Sequence, residues 1–250
     1  MATSMTTWFP PRRGQHAEPQ RGSGASQWLP AAGQPPAWPS AGEDPAARVA
    51  DDLFLVAHRD RDGKPLLPAR VMGLAVAGGL LAELALLQRV DIRDRGLVAV
   101  SDAPLAEHVA QSLLTQLLAQ PQPLPVADWL AYLAPDAPNA VGHRLARAGV
   151  VRAGKKRRAW RFVPTDAADA FFRAGRLAVM LDNAKTFSTP HKVLLGLVQA
   201  SGLAGQLPCV DPGESRRLIA VTVQSLPWPL SGLVAEVTAA VDKAVITGRA

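Results

Sequence analysis

The sequence predicts a mainly α-helical protein, in which a single compact helical domain with two small β-hairpins follows a disordered tail. The tail is assigned to residues 1–49, because the first 50 residues contain eight prolines and five glycines and almost no Leu, Ile or Val. Such a segment cannot offset its ordering entropy by burial. Beyond it, apolar residues recur at helical spacing in segments that end at Pro or Gly, while two alternating stretches flank polar turns. The domain is therefore assigned to residues 50–250.

The first predicted elements surround a central helix. Structure is expected to begin near Val49, and a polar turn follows at Arg59–Gly63. Pro68 suits the start of a helix over about 69–88, which is apolar on nearly every face and is therefore expected to be buried on all sides. The alternating residues of VDIRDRGLVAV then predict a β-hairpin around a turn at Asp94–Gly96.

The rest of the chain is predicted to form helices and one further hairpin. A helix over 139–149 begins at an Asn cap and ends at Gly149, which is a common C-terminal stop. The residues VVRAGKKRRAWRFVP that follow predict a second hairpin with a basic turn and a basic returning strand. The other helices are predicted at about 107–120, 126–134, 165–182, 189–203, 212–225 and 229–247.

The positive charge of the domain is concentrated in one segment. The chain has a net charge of +6, and residues 140–164 contain eight Lys or Arg side chains and no acid. The remainder of the domain is slightly acidic. A basic segment of this contrast indicates a polyanionic partner, either a nucleic acid or an anionic membrane surface.

Several classes of protein are excluded or disfavoured by composition. The single cysteine, Cys209, excludes an internal disulfide and a zinc site with two thiolates, and it fits a reducing compartment. The first residues lack the apolar region of a secretory signal. The longest apolar run, Val71–Leu87, is interrupted by Glu83, so a soluble or peripheral protein is expected. We expect no metal and no cofactor.

Several motifs, in order and with consistent spacing, resemble the Golgi phosphoprotein 3 family. They are DDLFLVAHRDRDGKPLLP, then GGLLAELALLQRVDIRDRGLVAVSDAPL, then LARAGVVR before the basic hairpin, and later HKVLLGLVQASGL. The likeness extends over about 50–245 and leaves the tail outside. The composition, rich in Ala and Arg, favours a bacterial member, so a Golgi location is not expected.

The resemblance implies a helical domain that docks on membranes. Family members bind phosphatidylinositol 4-phosphate in a basic pocket and use a hairpin at the membrane or in self-association, and the eukaryotic members sort glycosyltransferases at the Golgi. By resemblance, the chain is expected to be a non-enzymatic adaptor, peripherally bound to the cytoplasmic face of a membrane. A protein cargo is also implied, and the tail tryptophans Trp8, Trp28 and Trp38 are one candidate surface for it.

The residues of the family pocket are not retained. Alignment on ELAL places the family's pocket tryptophan at Pro68 and its helix arginine at Ala77, and its two further arginines fall near Pro135–Pro138. This departure weakens the expectation of phosphoinositide specificity. A substitute phosphate site is predicted from Arg70, Arg144 and Arg147, because guanidinium groups suit phosphate oxygens and residues three apart share a helix face. The alternative is that these three arginines are solvated or salt-bridged.

The basic hairpin provides the second part of the predicted lipid-binding surface. Lys155, Lys156, Arg157 and Arg158 lie at the turn, and Trp160, Arg161 and Phe162 follow. Basic side chains are attracted to anionic bilayers, and a tryptophan ring is favoured at the headgroup boundary. Alternatively, Trp160 and Phe162 pack onto the core and the turn only improves solubility. The predicted lipid-binding residues are Arg70, Arg144, Arg147, Lys155, Lys156, Arg157, Arg158, Trp160 and Arg161.

The sequence leaves two other functions as alternatives. A winged-helix nucleic-acid-binding protein would use helix 139–149 and the basic hairpin, but that helix offers base edges only His143, Arg144 and Arg147. An enzyme is disfavoured because no nucleophile elbow, phosphate loop or HExxH spacing occurs. Of the isolated candidates, Glu83 is interpreted as a hydrogen-bonded core residue and Cys209 as an inert loop thiol.

Overall fold

The computed structural model describes residues 48–59, 61–93, 96–156, 159–165, 187–206 and 212–248. Over this part of the chain it confirms a mainly α-helical fold with two small antiparallel sheets. Residues 1–47 of the predicted tail and residues 166–182 of the helix predicted at about 165–182 lie outside the described residues, as does Cys209. The helices are α1 (Val49–Val56), α2 (Ala69–Leu86), α3 (His108–Leu118), α4 (Val126–Leu133), α5 (Ala137–Arg147), α6 (Thr189–Ala200), α7 (Pro212–Gln224) and α8 (Leu230–Thr247).

Helix α2 forms the centre of the fold, as its sequence predicts. Helices α1, α4, α5, α6 and α8 all pack against it. Gly79 allows a close approach of α1, since a Cβ added there would lie 2.9 Å from the Cα of Ala50. By length and mean hydropathy α2 would also suit a membrane span, but 78% of its residues are buried within the fold. All-round burial explains why it carries no polar face.

The first sheet contains the predicted hairpin and one strand that was not predicted. Strands β1 (Val90–Arg93) and β2 (Gly96–Ala99) pair antiparallel. A short strand β3 (Leu124–Pro125) adds to β2, with Leu124 opposite Leu97. Because β3 has only two residues and follows a proline-rich stretch, it has no alternating pattern from which a strand is predicted.

The second sheet is the predicted basic hairpin, formed by β4 (Val151–Lys156) and β5 (Ala159–Pro164). Its register pairs Lys155 with Trp160 and Lys156 with Ala159. Phe162 faces the core and is 4% exposed, and a Cβ added at Gly142 of α5 would lie 2.5 Å from its ring. The hairpin is therefore anchored on α5 by Phe162.

The start of α5 differs from the prediction. The helix begins at Ala137, with Pro138 in its first turn, and Asn139 lies inside the helix instead of capping it. Proline suits the first turn because its missing N–H would have no helical partner there. The sequence signal of a capping Asn was therefore misleading.

Candidate functional site

Arg144, predicted to bind lipid, is buried. Its side chain is 3% exposed, and its guanidinium contacts carboxylates from three other segments. Nε donates to Asp51 Oδ1 at 2.8 Å, and Nη1 and Nη2 donate to the two oxygens of Glu83 at 2.9 and 3.0 Å. The expectation of an Arg144–Arg147 surface is corrected accordingly, because Arg147 is exposed and Arg144 is committed to the core.

The buried cluster around Arg144 joins four elements of the fold. Asp51 comes from α1, Glu83 from α2 and Arg144 from α5, while Glu107 caps α3 by accepting from the amides of its first turn. Glu83 also accepts a hydrogen bond from the backbone N–H of Ala50 at 2.9 Å. The interpretation of Glu83 as a hydrogen-bonded core residue agrees with this geometry.

Three carboxylates surround one buried guanidinium, so there are more acidic than basic groups in the cluster. This excess and the burial of the groups shift the pKa values of the carboxylates. The pKa of Glu83 is raised to about 7, mainly by burial and in addition by the neighbouring Asp51. The positive charge of Arg144 lowers this pKa but does not cancel the effect of burial. Burial likewise raises the pKa of Asp51. The pKa of Glu107 is lowered, because Arg144 and the two backbone amides outweigh the effect of its burial.

We expect the free energy of unfolding to decrease as the pH rises from about 4.5 to about 7. Folded Glu83 holds its proton up to about pH 7, whereas in the unfolded chain its pKa returns to 4.5. One retained proton gives a slope of up to ~1.4 kcal/mol per pH unit. Asp51 contributes with the same sign, and Glu107 contributes with the opposite sign at more acidic pH.

Denaturant unfolding between pH 4.5 and 8 measures this slope. The Glu83→Gln variant should show a flatter profile, because a residue that cannot titrate replaces the carboxyl group. Asp102→Asn, at an exposed site, is the matched control and should keep the parent profile. An identical profile for parent and Glu83→Gln would contradict the assignment.

A large cleft lies beside the basic hairpin. Its volume is about 1180 Å³, and its walls come from α1, the loop after α1, the starts of α2 and α5, α4, β5 and α8. Trp160, Arg161 and Phe162 of β5 belong to this lining, and so does Arg70 in the first turn of α2. The structure thus brings three of the predicted site residues, Arg70, Trp160 and Arg161, to one cavity.

The cleft carries charges of both signs. Among the described residues that line it, Arg70, Arg161 and Lys243 are cationic, and Asp128 and Glu236 are acidic. Nη1 of Arg161 donates to the carbonyl oxygen of Asp62 at 3.2 Å. Asp128, Glu236 and Lys243 were not predicted as site residues, since nothing in their local pattern indicates that α4 and α8 face a common cavity.

Trp160 lies at the junction of the hairpin and the cleft. It is 43% exposed, so the alternative that it packs into the core does not describe it, although that alternative does hold for Phe162. The ring of His143 meets it edge-on at 4.4 Å, and Nζ of Lys155 lies 5.9 Å from its ring centre. Burial lowers the pKa of His143, and the nearby Arg147 lowers it further.

Two of the remaining predicted residues, Arg147 and Lys155, lie near this junction. Arg147 is exposed at the end of α5, and Lys155 is exposed on β4. Arg157 and Arg158 lie outside the described residues, as does the side chain of Lys156. Of the helix residues named for base recognition, Arg144 is buried, His143 is partly buried in contact with Trp160, and Arg147 is exposed.

No group of three or more His, Cys, Asp or Glu within the described ranges is arranged to hold a metal ion. His58 lines the cleft, but its Nδ1 is engaged with the carbonyl oxygen of Phe54 at 2.6 Å, and burial lowers its pKa. His58 is therefore a partly buried histidine at the cleft wall, held by its contact with Phe54.

The fold and the site define a helical domain whose cleft is bordered by a basic hairpin. A family model described as Golgi phosphoprotein 3 matches residues 49–246. The chain therefore belongs to the Golgi phosphoprotein 3 family, whose members are Golgi-associated peripheral proteins and are not known as enzymes. A comparison with curated proteins found no significant match.

Proposed function

We propose that the protein is a peripheral membrane protein that holds a phospholipid headgroup in the cleft while its basic hairpin contacts an anionic membrane surface. The observation that carries this proposal is the continuity of the two features: Trp160 and Arg161 belong to the hairpin and also line the cleft. A headgroup in the cleft would therefore place the hairpin against the same bilayer.

The cleft has the features of a phosphate site even though the family's own pocket residues are replaced. Arg70 and Arg161 supply guanidinium groups, which suit phosphate oxygens. The first turns of α2, α4 and α5 also line the cleft, and none of these helices has a side-chain cap. The first-turn N–H groups of these helices that have no side-chain cap, together with the helix dipoles, add positive potential there.

The hairpin supplies attraction to the bilayer as a whole. Lys155 is exposed, and the sequence places Lys156, Arg157 and Arg158 beside it. Each basic group near an anionic bilayer contributes about 1 kcal/mol. The half-exposed ring of Trp160 suits the headgroup boundary, where one face of an indole meets apolar groups and its N–H remains in water.

The family membership supports the position of the site and suggests the first ligand to test. Pro135 and Pro138 line the cleft, in the stretch where alignment places two of the family's pocket arginines. Phosphatidylinositol 4-phosphate is therefore the first headgroup to test by resemblance. An adaptor role at the cytoplasmic face of a membrane, a protein cargo and self-association through the hairpin are further parts of this proposal.

Vesicle co-sedimentation at physiological salt tests the proposal. Vesicles containing phosphatidylinositol 4-phosphate or phosphatidylserine are matched for surface charge, and binding should increase with anionic lipid content. We expect Arg70→Gln to weaken binding about tenfold, because a charge-assisted bond to phosphate is lost. Arg217→Gln, an exposed arginine of α7, is the matched control and should bind like the parent.

Two results would contradict the proposed function. Equal loss for Arg70→Gln and Arg217→Gln would show that the cleft is not used. Absence of vesicle binding together with tight, salt-dependent binding of duplex DNA would replace the proposal with the nucleic-acid-binding alternative.

A further inference from the structure

We infer that the cleft selects a headgroup that carries a primary ammonium group as well as a phosphate, namely that of phosphatidylethanolamine. The inference rests on the proposed function, since it identifies the ligand of the same cleft. It differs from the expectation of phosphatidylinositol 4-phosphate, whose headgroup is purely anionic.

The first support is the charge of the cleft walls. Asp128 and Glu236 stand in the lining together with Arg70, Arg161 and Lys243. Within the described part of the chain, Asp128, Glu236, Arg70 and Lys243 make no ion pair or side-chain hydrogen bond. A polyanionic headgroup would bring its phosphates close to two carboxylates, and like charges at short range repel. A zwitterionic headgroup has a partner for each sign.

The second support is the spacing of an acidic and a basic side chain along α8. Glu236 and Lys243 are seven residues apart on α8, so they lie two turns apart on the same face, about 10.5 Å along the axis. Ala239 and Ala240 occupy the turn between them and also line the cleft. Their small side chains leave room for a ligand between an acidic and a basic group.

The adjacent helix α4 repeats this pattern of a charge beside small residues. Asp128 of α4 lines the cleft with Ala127 and Ala131, and α4 packs directly against α8. The two carboxylates therefore come from adjacent helices, and Arg70 and Arg161 come from α2 and β5. A ligand that spans the cleft can therefore contact carboxylates from α4 and α8 and guanidinium groups from α2 and β5.

The lining also distinguishes a primary ammonium from the trimethylammonium of choline. A primary ammonium donates three hydrogen bonds, which carboxylates accept. A choline headgroup has no such donor and is typically held by a cage of aromatic rings. The cleft offers only Trp160 as a substantially exposed aromatic ring among its described lining residues, because Phe54 and Phe162 are buried.

Water-soluble headgroups test the inference without any effect of bilayer curvature. NMR or calorimetric titration of the full chain with glycerophosphoethanolamine and glycerophosphocholine should show at least a fivefold preference for the ethanolamine compound. The Asp128→Asn and Glu236→Gln variants should lose this preference. Asp242→Asn, an exposed residue of α8 outside the cleft lining, is the matched control and should keep it. Circular dichroism checks that each variant is folded.

Vesicle binding then distinguishes a failure of this inference from a failure of the proposed function. Phosphatidylcholine is exchanged for phosphatidylethanolamine at constant phosphatidylglycerol content, so that surface charge does not change. Binding that increases with ethanolamine in the parent but not in Glu236→Gln supports the inference. Anionic vesicle binding without any ethanolamine preference, in vesicles and in solution, overturns the inference and leaves the proposed function standing. Absence of binding to every vesicle overturns the proposed function, and the titration in solution still decides the headgroup.

Discussion

Replacement of Arg144 by Ala is expected to lower the free energy of unfolding by about 3–5 kcal/mol, the range found when one partner of a buried ion pair is removed. The guanidinium is the shared partner of Asp51, Glu83 and Glu107. Without it, Asp51 and Glu83 must be protonated or remain as buried charges, and each alternative costs free energy. Chemical denaturation followed by circular dichroism measures the loss.

Two further variants distinguish the loss of the buried cluster from the loss of a positive charge in general. Arg147→Ala removes the same charge from an exposed site one turn away, and its effect should stay within about 0.5 kcal/mol. Arg144→Lys keeps the charge but lacks the planar fork that contacts both oxygens of Glu83, so it should recover only part of the loss. Equal effects of Arg144→Ala and Arg147→Ala would contradict the role given to the cluster.

The contrast between these two arginines shows what the sequence alone does not predict, namely which of them is buried. Spacing along α5 correctly places Arg144 and Arg147 about one turn apart, but it does not say which face is buried. The partners of Arg144 are 93, 61 and 37 residues away in the chain, so no local pattern reveals them. The apolar environment of Glu83 was the one available signal, because a buried carboxylate needs a partner.

The cleft was predictable to the extent that its residues lie in recognisable segments. Arg70 stands at a helix start and Trp160 and Arg161 at a hairpin, and each was singled out by its neighbours in sequence. Their meeting depends on Phe162, which anchors β5 on α5 through contact with Gly142. The acidic residues Asp128 and Glu236 appear as ordinary solvated helix positions until α4 and α8 are packed together.

The second large effect is expected at the hairpin turn. The quadruple change of Lys155, Lys156, Arg157 and Arg158 to Ala should weaken binding to anionic vesicles on the order of 10³-fold at physiological salt. Four basic groups at about 1 kcal/mol each give about 4 kcal/mol, and every 1.4 kcal/mol is tenfold in affinity. Vesicle co-sedimentation over a range of protein concentrations measures the change.

The salt dependence identifies the physical origin of this loss. Binding of the parent should weaken as ionic strength rises, because salt screens the attraction between the hairpin and the bilayer, whereas the quadruple variant should respond much less. Phe162 is unchanged in the variant, so the hairpin keeps its anchor on α5, and the thermal stability should match that of the parent. A folded quadruple variant that binds anionic vesicles as well as the parent would show that the hairpin is not the membrane contact. Membrane binding would then have to depend on the cleft residues, among which Arg70 is the first to change.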